Sequence, residues 1–246
     1  MNDRPGELLP LPDDWQRCLA IVAHPDDLEY GTASAIAGWT AAGRDVAYVL
    51  VTRGEAGIDG LPPQQAAALR EREQRASAAA VGVSEVEFLD HQDGVITEGL
   101  RLRRDLTRAI RRHKPELVVT LNHRDTWAPG AWNTPDHRAV GRSVLDATGD
   151  AGNRWIFPQL VEEGYEPWAG VRWVAVFASP EPSHAVDVTD TLEAGVRSLA
   201  EHRAYIEALT SQDPTDYARE MLTRNARAVG ERFSGRLAAA FELFPR

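Results

Sequence analysis

The fold of this chain is decided by the stretch Ala23-His24-Pro25-Asp26-Asp27-Leu28-Glu29-Tyr30-Gly31. An apolar run, Cys18 to Ala23, leads into it, and a helical pattern, Leu28 to Ala41, continues from it. A buried strand that turns directly into a helix places the residues between them at the carboxyl edge of a sheet, where α/β proteins bind ligands. This turn carries an imidazole and two carboxylates, so it is the first candidate for a functional site.

The turn residues have two interpretations. His24 and Asp27 are three positions apart across a tight turn, so both can face one metal ion, and their side chains are of types found at zinc sites. Asp26 lies between them and could face the same ion without binding it. Alternatively, aspartates at a helix start cap free N–H groups and complement the helix dipole. The turn alone leaves these alternatives open.

A second turn of similar composition lies far along the chain and favours the metal site. It reads Asn133-Thr134-Pro135-Asp136-His137-Arg138-Ala139-Val140-Gly141. Together the two turns offer three metal ligands, His24, Asp27 and His137, and leave one carboxylate free.

These motifs resemble those of the LmbE-like, or PIG-L-like, zinc-dependent N-deacetylases, over about residues 16–210. That family removes the acetyl group from N-acetylglucosamine-type substrates. The segments between the two turns are similar as well: they are Thr52 to Gly57, Arg70 with Glu73, and Asp93 with Gly94.

The resemblance implies an enzyme with one Zn²⁺, held by His24, Asp27 and His137, and an open position for water. It implies that Asp26 is the general base. By the same resemblance, substrate contacts are expected at Arg70 and Asp93. His123 is a further candidate because, like His184, it lies at a predicted strand end or loop that faces the crevice. Asp136 and Thr134 are expected around the ligands. The expected partner is a small amino-sugar compound, and the products are acetate and a free amine.

Thr134 departs from the family pattern, which commonly has histidine there as a proton donor. A threonine hydroxyl cannot act as an acid near neutral pH, although Thr134 before Pro135 makes a good helix start. Asp26 could return the proton itself, or His184 or His123 could supply an imidazole. We favour Asp26 with help from His184. The same departure leaves open a non-catalytic metal- or sugar-binding protein on this scaffold.

Alternating strands and helices predict an α/β fold with one Rossmann-like domain, 1–246, and a mostly parallel sheet with helices on both faces. The site is expected at the carboxyl edge of the strands. Residues 1–15 are polar and proline-rich and predict a loose arm, while the C-terminal segment, 213–246, is predicted to be helical at least to residue 240. A nucleotide-binding protein is disfavoured because the first turn lacks a glycine-rich phosphate loop.

The composition excludes other classes of partner. A net charge of -10 argues against nucleic acid and against anionic membranes. One cysteine, Cys18, allows no disulfide framework, and residues 1–5 do not begin a signal peptide, so we expect a cytoplasmic protein. The sequence leaves the oligomeric state open, a homo-oligomer included.

Overall fold

The computed structural model describes residues 6–246. It contains an eight-stranded sheet of order β1-β9-β10-β8-β5-β2-β3-β4 and a small hairpin, β6-β7. The strands are β1 Leu9–Pro10, β2 Arg17–Val22, β3 Asp45–Leu50, β4 Glu85–Phe88, β5 Leu117–Leu121, β6 Thr126–Ala128, β7 Ala131–Trp132, β8 Trp173–Phe177, β9 His184–Asp187 and β10 Ala238–Pro245. The helices are α1 Asp27–Gly31, α2 Ala33–Ala41, α3 Pro63–Ala80, α4 Leu100–His113, α5 Pro135–Ala151, α6 Pro158–Glu162, α7 Leu192–Ala200, α8 Arg203–Leu209 and α9 Pro214–Gly230.

The middle of the sheet confirms the prediction of a mostly parallel α/β fold. Strands β8, β5, β2, β3 and β4 all run in the same direction. Strand β2 is fully buried from Leu19 to Val22, because it lies between two strands and is covered on both faces. Parallel strands end at the same edge, so the turn that follows β2 opens into a crevice beside the ends of β3 and β5.

Helices flank the sheet in two packed groups. Helix α4 packs on α5, whereas α7 contacts α2, α3 and α9. The helical pattern of Leu28 to Ala41 is divided at Thr32, whose φ is -142°. Helices α7 and α8 are separated only by Glu201 and His202. Within residues 6–246, no helix combines the length and the apolar composition that a membrane crossing requires.

The N-terminal segment corrects the prediction of a loose arm for residues 1–15. Residues 1–5 lie outside the described part of the chain. Leu9 and Pro10 form β1, which pairs in parallel with β9, and both Leu8 and Trp15 are buried. The rings of Trp15 and Trp39 pack edge to face at a centroid distance of 5.1 Å, so aromatic packing fixes this segment against α2.

The C-terminal segment corrects the prediction of helix across 213–246. Residues 214–230 are helical as expected, but Ala238–Pro245 form β10, the antiparallel strand between β8 and β9. Its three alanines favour a helix by intrinsic propensity. The strand forms nevertheless, because hydrogen bonds on both sides and the complete burial of Phe241 outweigh that preference.

Candidate active site

The first turn is held by hydrogen bonds with a side chain of the turn itself and with a residue at the end of the neighbouring strand. The backbone N–H of His24 donates to Asp27 Oδ2 at 2.7 Å. At the end of the neighbouring strand, both the N–H and the hydroxyl of Thr52 donate to the carbonyl of Ala23, at 3.0 and 2.9 Å. Asp27 therefore closes the turn before α1, and the same carboxylate also faces the two histidines. Neither aspartate caps the helix, because the start of α1 has no side-chain cap.

Three groups from the two turns converge at one point. His137 Nε2 lies 3.0 Å from Asp27 Oδ1 and 3.3 Å from His24 Nδ1, and His24 Nδ1 lies 3.6 Å from Asp27 Oδ2. One ligand atom from each residue lies within 4.8 Å of the other two. Two imidazole nitrogens that face each other beside a carboxylate form a donor set that suits a divalent cation. The residues present therefore fit the metal site that the sequence predicts.

The far nitrogen of His24 is held by two other carboxylates. His24 Nε2 lies 3.0 Å from Asp93 Oδ1 and 3.1 Å from Asp136 Oδ2. Asp136 is itself fixed, since it accepts the backbone N–H groups of Gly94 at 2.7 Å and Ile96 at 3.0 Å. Such carboxylate–imidazole pairs orient a metal-binding histidine and set which nitrogen carries the proton. Here they leave His24 Nδ1 for the ion.

The charges around the triad favour a cation. Burial would lower the pKa of His24, but Asp27, Asp136 and Asp93 together raise it well above its usual value. Burial would raise the pKa of Asp27, but His137 and His24 hold it below its usual value. A buried group of carboxylates and imidazoles thus stabilises positive charge at the point where the three ligand atoms meet.

The loop before His137 is held in place by the hydrogen bonds of Asn133. The Asn133 amide donates to the carbonyls of Asn122 at 2.9 Å and Arg124 at 2.8 Å, and its oxygen accepts the N–H of Thr134. Thr134 then caps α5, because its hydroxyl accepts the N–H of His137 at 3.4 Å. His137 lies in the first turn of α5, so its position depends on this start.

Asp26 stands beside the triad in a constrained conformation. Its φ is 87°, in the left-handed region that non-glycine residues seldom adopt. Its N–H donates to Gln74 Oε1 at 3.0 Å, and Gln74 donates in turn to the buried Glu29 at 2.9 Å. A strained backbone that persists only because its surroundings hold it is common at functional sites.

Arg70 holds the Asp26 carboxylate from helix α3. Its guanidinium donates to Asp26 Oδ2 at 3.0 Å and to the carbonyls of Pro25 at 2.6 Å and Gly54 at 3.0 Å. It also lies 4.3 Å from the ring centroid of Tyr205. Burial raises the pKa of Asp26 to about 6, although Arg70 acts to lower it. The side chain is therefore a base of moderate strength.

These groups line one cavity of about 550 Å³ at the carboxyl edge of the sheet. Trp127 is among the lining residues, and its ring and that of His137 pack edge to face at a centroid distance of 5.3 Å. Eight of the ten predicted site residues line this cavity: His24, Asp26, Asp27, Arg70, Asp93, Thr134, Asp136 and His137.

The structure does not bring the other two predicted residues to the cavity. His123 follows β5 but packs its ring against Phe244 at a centroid distance of 5.7 Å, and burial lowers its pKa. His184 starts β9, four strands along the sheet from β2, or roughly 19 Å at the usual strand spacing. Its Nδ1 lies 2.8 Å from the hydroxyl of Ser183. Both residues were expected to face the crevice, and the strand order places them away from it.

Sequence reasoning missed Gln74 and Tyr205, which position Asp26 and Arg70. One signal was available in helix α3: Arg70, Gln74 and Ser77 recur at helical spacing with Ala66 and Ala78, on the face that is buried. Polar residues on the apolar face of a helix mark a polar network inside the protein. Tyr205 gave no such signal, because it lies alone on a short helix.

Residues 19–148 match the model of the PIG-L family, described as GlcNAc-PI de-N-acetylase. The chain belongs to this family. The match covers both turns and all three candidate ligands. The chain is 29% identical over 194 residues to the diacetylchitobiose deacetylase of Thermococcus kodakarensis. This alignment covers 78% of this chain and 71% of that protein. A 1D-myo-inositol 2-acetamido-2-deoxy-alpha-D-glucopyranoside deacetylase from Kineococcus radiotolerans is 28% identical over 66% of this chain and 55% of its own length.

Solved structures share the fold. The N,N'-diacetylchitobiose deacetylase of Pyrococcus horikoshii superposes with a TM-score of 0.84 at 26% identity, over 94% of this chain and 85% of that one. GalB of Pseudomonas putida, a 4-carboxy-2-hydroxymuconate hydratase, superposes with a TM-score of 0.70 at 21% identity, over 94% and 97%. A hydratase on this fold means that the activity must be argued from the site and not from the architecture.

Proposed function

We propose that this protein is a zinc-dependent hydrolase that removes the N-acetyl group from a GlcNAc-type small molecule or glycoconjugate. One observation carries the proposal: His24, Asp27 and His137 converge in a cavity, and the carboxylate of Asp26 stands beside them outside the ligand set. Family membership and the deacetylases among the relatives support the same reaction.

His24, Asp27 and His137 would hold the zinc ion, which would supply an acidified water and a Lewis acid for the amide carbonyl. Asp136 and Asp93 keep His24 oriented through Nε2. Asp93, expected as a substrate ligand, also accepts the N–H of Ala56 at 2.8 Å, so the loop after β3 is tied to the same cluster.

Asp26 takes the proton of the attacking water. Arg70 and Gln74 fix its carboxylate and its backbone, so the base needs no rearrangement when the substrate arrives. With its pKa raised to about 6, Asp26 can accept a proton near neutral pH and give it up again.

Asp26 also protonates the leaving nitrogen in this proposal. Thr134 lines the cavity at the position where the family commonly has histidine, but its hydroxyl serves as the cap of α5. His184, which the sequence favoured as a helper, is four strands away, and His123 packs outside the cavity. Among the described residues that line the cavity, Asp26 is the acid best placed to transfer a proton in both directions.

The test is acetate release from N-acetylglucosamine, its glycosides and diacetylchitobiose, with native protein and the Asp26→Asn variant. We expect the variant to keep its zinc, since Asp26 is not a ligand, and to lose roughly a hundred- to ten-thousand-fold in rate. Equal rates in the two proteins would exclude Asp26 as the base.

The competing function is metal or sugar binding without catalysis, and the threonine at position 134 is the observation that favours it. In the acetate-release test this function gives a different result: the zinc-loaded native protein would bind the sugars but release no acetate. Acetate release by Thr134→His alone would favour this alternative.

A further inference from the structure

Beside Asp26, the interior of the protein holds a cluster of polar side chains of which the proposed mechanism uses only one. All of them are fully buried: Glu29 on α1, Gln74 and Ser77 on α3, Ser198 on α7, and His202 between α7 and α8. Burial of a carboxylate is unfavourable unless hydrogen bonds and an opposite charge compensate for it. Glu29 therefore lies in the core only because its neighbours stabilise it there.

A chain of hydrogen bonds connects Glu29 to the backbone of Asp26 through Gln74. The Asp26 N–H donates to Gln74 Oε1 at 3.0 Å, and the Gln74 amide group donates to Glu29 Oε1 at 2.9 Å. A backbone N–H can only donate, so Gln74 must turn its oxygen toward Asp26, and its NH₂ group then needs an acceptor on the other side. Glu29 is that acceptor, and it fixes the orientation in which Gln74 can hold Asp26.

The Glu29 carboxylate is itself held by two helices. The hydroxyl of Ser77 on α3 donates to Glu29 Oε1 at 2.7 Å. The hydroxyl of Ser198 on α7 donates to the carbonyl of Ser77 at 3.0 Å and lies 2.8 Å from the Ser77 hydroxyl. The acceptor for Gln74 is thus fixed by contacts between α1, α3 and α7.

His202 supplies the charge opposite to that of Glu29. Its Nε2 lies 3.5 Å from Glu29 Oε2, and neither ring nitrogen forms a hydrogen bond within residues 6–246. Burial acts to lower the pKa of His202, but Glu29 and Asp26 raise it above its usual value. The ion pair offsets part of the cost of the buried carboxylate.

We propose that Glu29 is a positioning residue for the catalytic base, because it locks the Gln74 amide that holds the backbone of Asp26. His202 balances the charge of Glu29 and does not hold Asp26. The inference rests on the proposed function, in which Asp26 transfers the proton. Arg70 fixes the carboxylate of Asp26, whereas Glu29 with Gln74 fixes its backbone, whose φ of 87° is unfavourable for a residue with a side chain.

The experiment measures kcat, KM, zinc content and thermal unfolding for Glu29→Leu and Glu29→Gln, with the sugar that native protein deacetylates fastest. Leucine removes the acceptor, so kcat should fall about ten- to a hundredfold while KM stays close to native and the zinc is retained. Glutamine keeps a carbonyl oxygen that can accept from Gln74, so Glu29→Gln should keep most of the native kcat. Native kcat in Glu29→Leu would overturn the inference and leave deacetylation standing.

Two further variants separate positioning from stability. His202→Phe leaves Glu29 without its opposite charge, so the protein should melt at a lower temperature, but kcat should stay close to native because Gln74 keeps its acceptor. The double variant Glu29→Leu/His202→Phe removes both charges, so it should melt above His202→Phe and yet keep the low kcat of Glu29→Leu. Loss of kcat in His202→Phe, or its recovery in the double variant, would show that Glu29 acts only through stability and would overturn the inference.

Hydrogen exchange of the Asp26 N–H, followed by NMR, needs no substrate. Exchange should be slow in native protein and Glu29→Gln, and about tenfold faster in Glu29→Leu, because Gln74 no longer holds its oxygen toward Asp26. If no sugar releases acetate, the proposed function fails, and the exchange rates then decide the inference alone. Equal exchange in native protein and Glu29→Leu would overturn it, and faster exchange in Glu29→Leu would support it.

The control is Asp150→Ala, which removes another buried carboxylate. Asp150 lies near the end of α5, outside the cavity, and pairs with Arg103 at 2.9 Å. Asp150→Ala should melt below native protein but keep the native kcat and the native exchange of the Asp26 N–H. Changes as large as those in Glu29→Leu would show that loss of any buried carboxylate disturbs Asp26, and would contradict the assignment to Glu29.

Discussion

Replacement of Arg70 by methionine should destabilise the protein strongly. The side chain is buried, and its ion pair with Asp26 is excluded from water, with 3% and 7% of the two side chains exposed. Methionine would leave the Asp26 carboxylate without its cation and the carbonyls of Pro25 and Gly54 without a donor. Loss of one partner from a buried pair typically costs about 3–5 kcal/mol.

Two glycines leave the space that the Arg70 guanidinium occupies. A Cβ at Gly54 would lie 2.3 Å from Arg70 Nη1, and a Cβ at Gly57 would lie 2.2 Å from the same atom, so glycines make room for this one guanidinium. For a chain of this size, a loss of 3–5 kcal/mol lowers the melting temperature by roughly 6–20 °C.

The assay is thermal unfolding of native protein, Arg70→Met and a matched control, Arg75→Met. Arg75 lies on the same helix and pairs with Glu71 at 2.9 Å, but 49% of its side chain is exposed. An exposed pair contributes at most about 1 kcal/mol, so the control should melt within a few degrees of native protein. If Arg70→Met melts at the same temperature as Arg75→Met, the buried ion pair does not stabilise the protein.

Three further predictions concern the elements around the site. Gly141→Ala should lower the free energy of unfolding, measured by chemical denaturation, by about 1–3 kcal/mol, since its Cβ would lie 2.7 Å from the carbonyl oxygen of Leu121. The control is Gly149→Ala on the same helix, whose Cβ would meet nothing within 4 Å, so that change should be neutral or stabilising. Thr134→Ala should cost about 1 kcal/mol through loss of the α5 cap, and Thr134→Ser should restore most of it; equal stability of the two variants would count against the cap. Burial raises the pKa of the Cys18 thiol, so Ellman's reagent should leave it unmodified in native protein and react only after unfolding; rapid reaction at pH 8 without denaturant would contradict its burial.

The sequence predicted the parts of the fold that depend on local pattern. The run before His24 contains only apolar residues, and such a run between turn signals predicts a buried parallel strand, which β2 is. The β10 strand was missed because its alanines carry no strand pattern, and only pairing with β8 and β9 makes it a strand. The division of the first predicted helix at Thr32 likewise has no clear signal in the sequence.

Prediction of the site was limited by distance along the chain. His24 and Asp27 share one turn and His137 opens a helix, so motif and spacing were enough to find the residues that converge. Strand order decides which other histidines reach that edge, and sequence spacing does not reveal that β10 inserts between β8 and β9. His184 was therefore expected beside a site that the sheet holds four strands away.

Whether His24 and His137 hold a zinc ion is decided by the zinc content of purified protein, measured by mass spectrometry, for the native chain, His24→Ala and His137→Ala. His184→Ala is the control, because that histidine lies outside the cavity. If His24 and His137 hold the ion, native protein and the control bind one zinc per chain, and both ligand variants lose it. Full zinc content in both ligand variants would show that these histidines do not bind the ion.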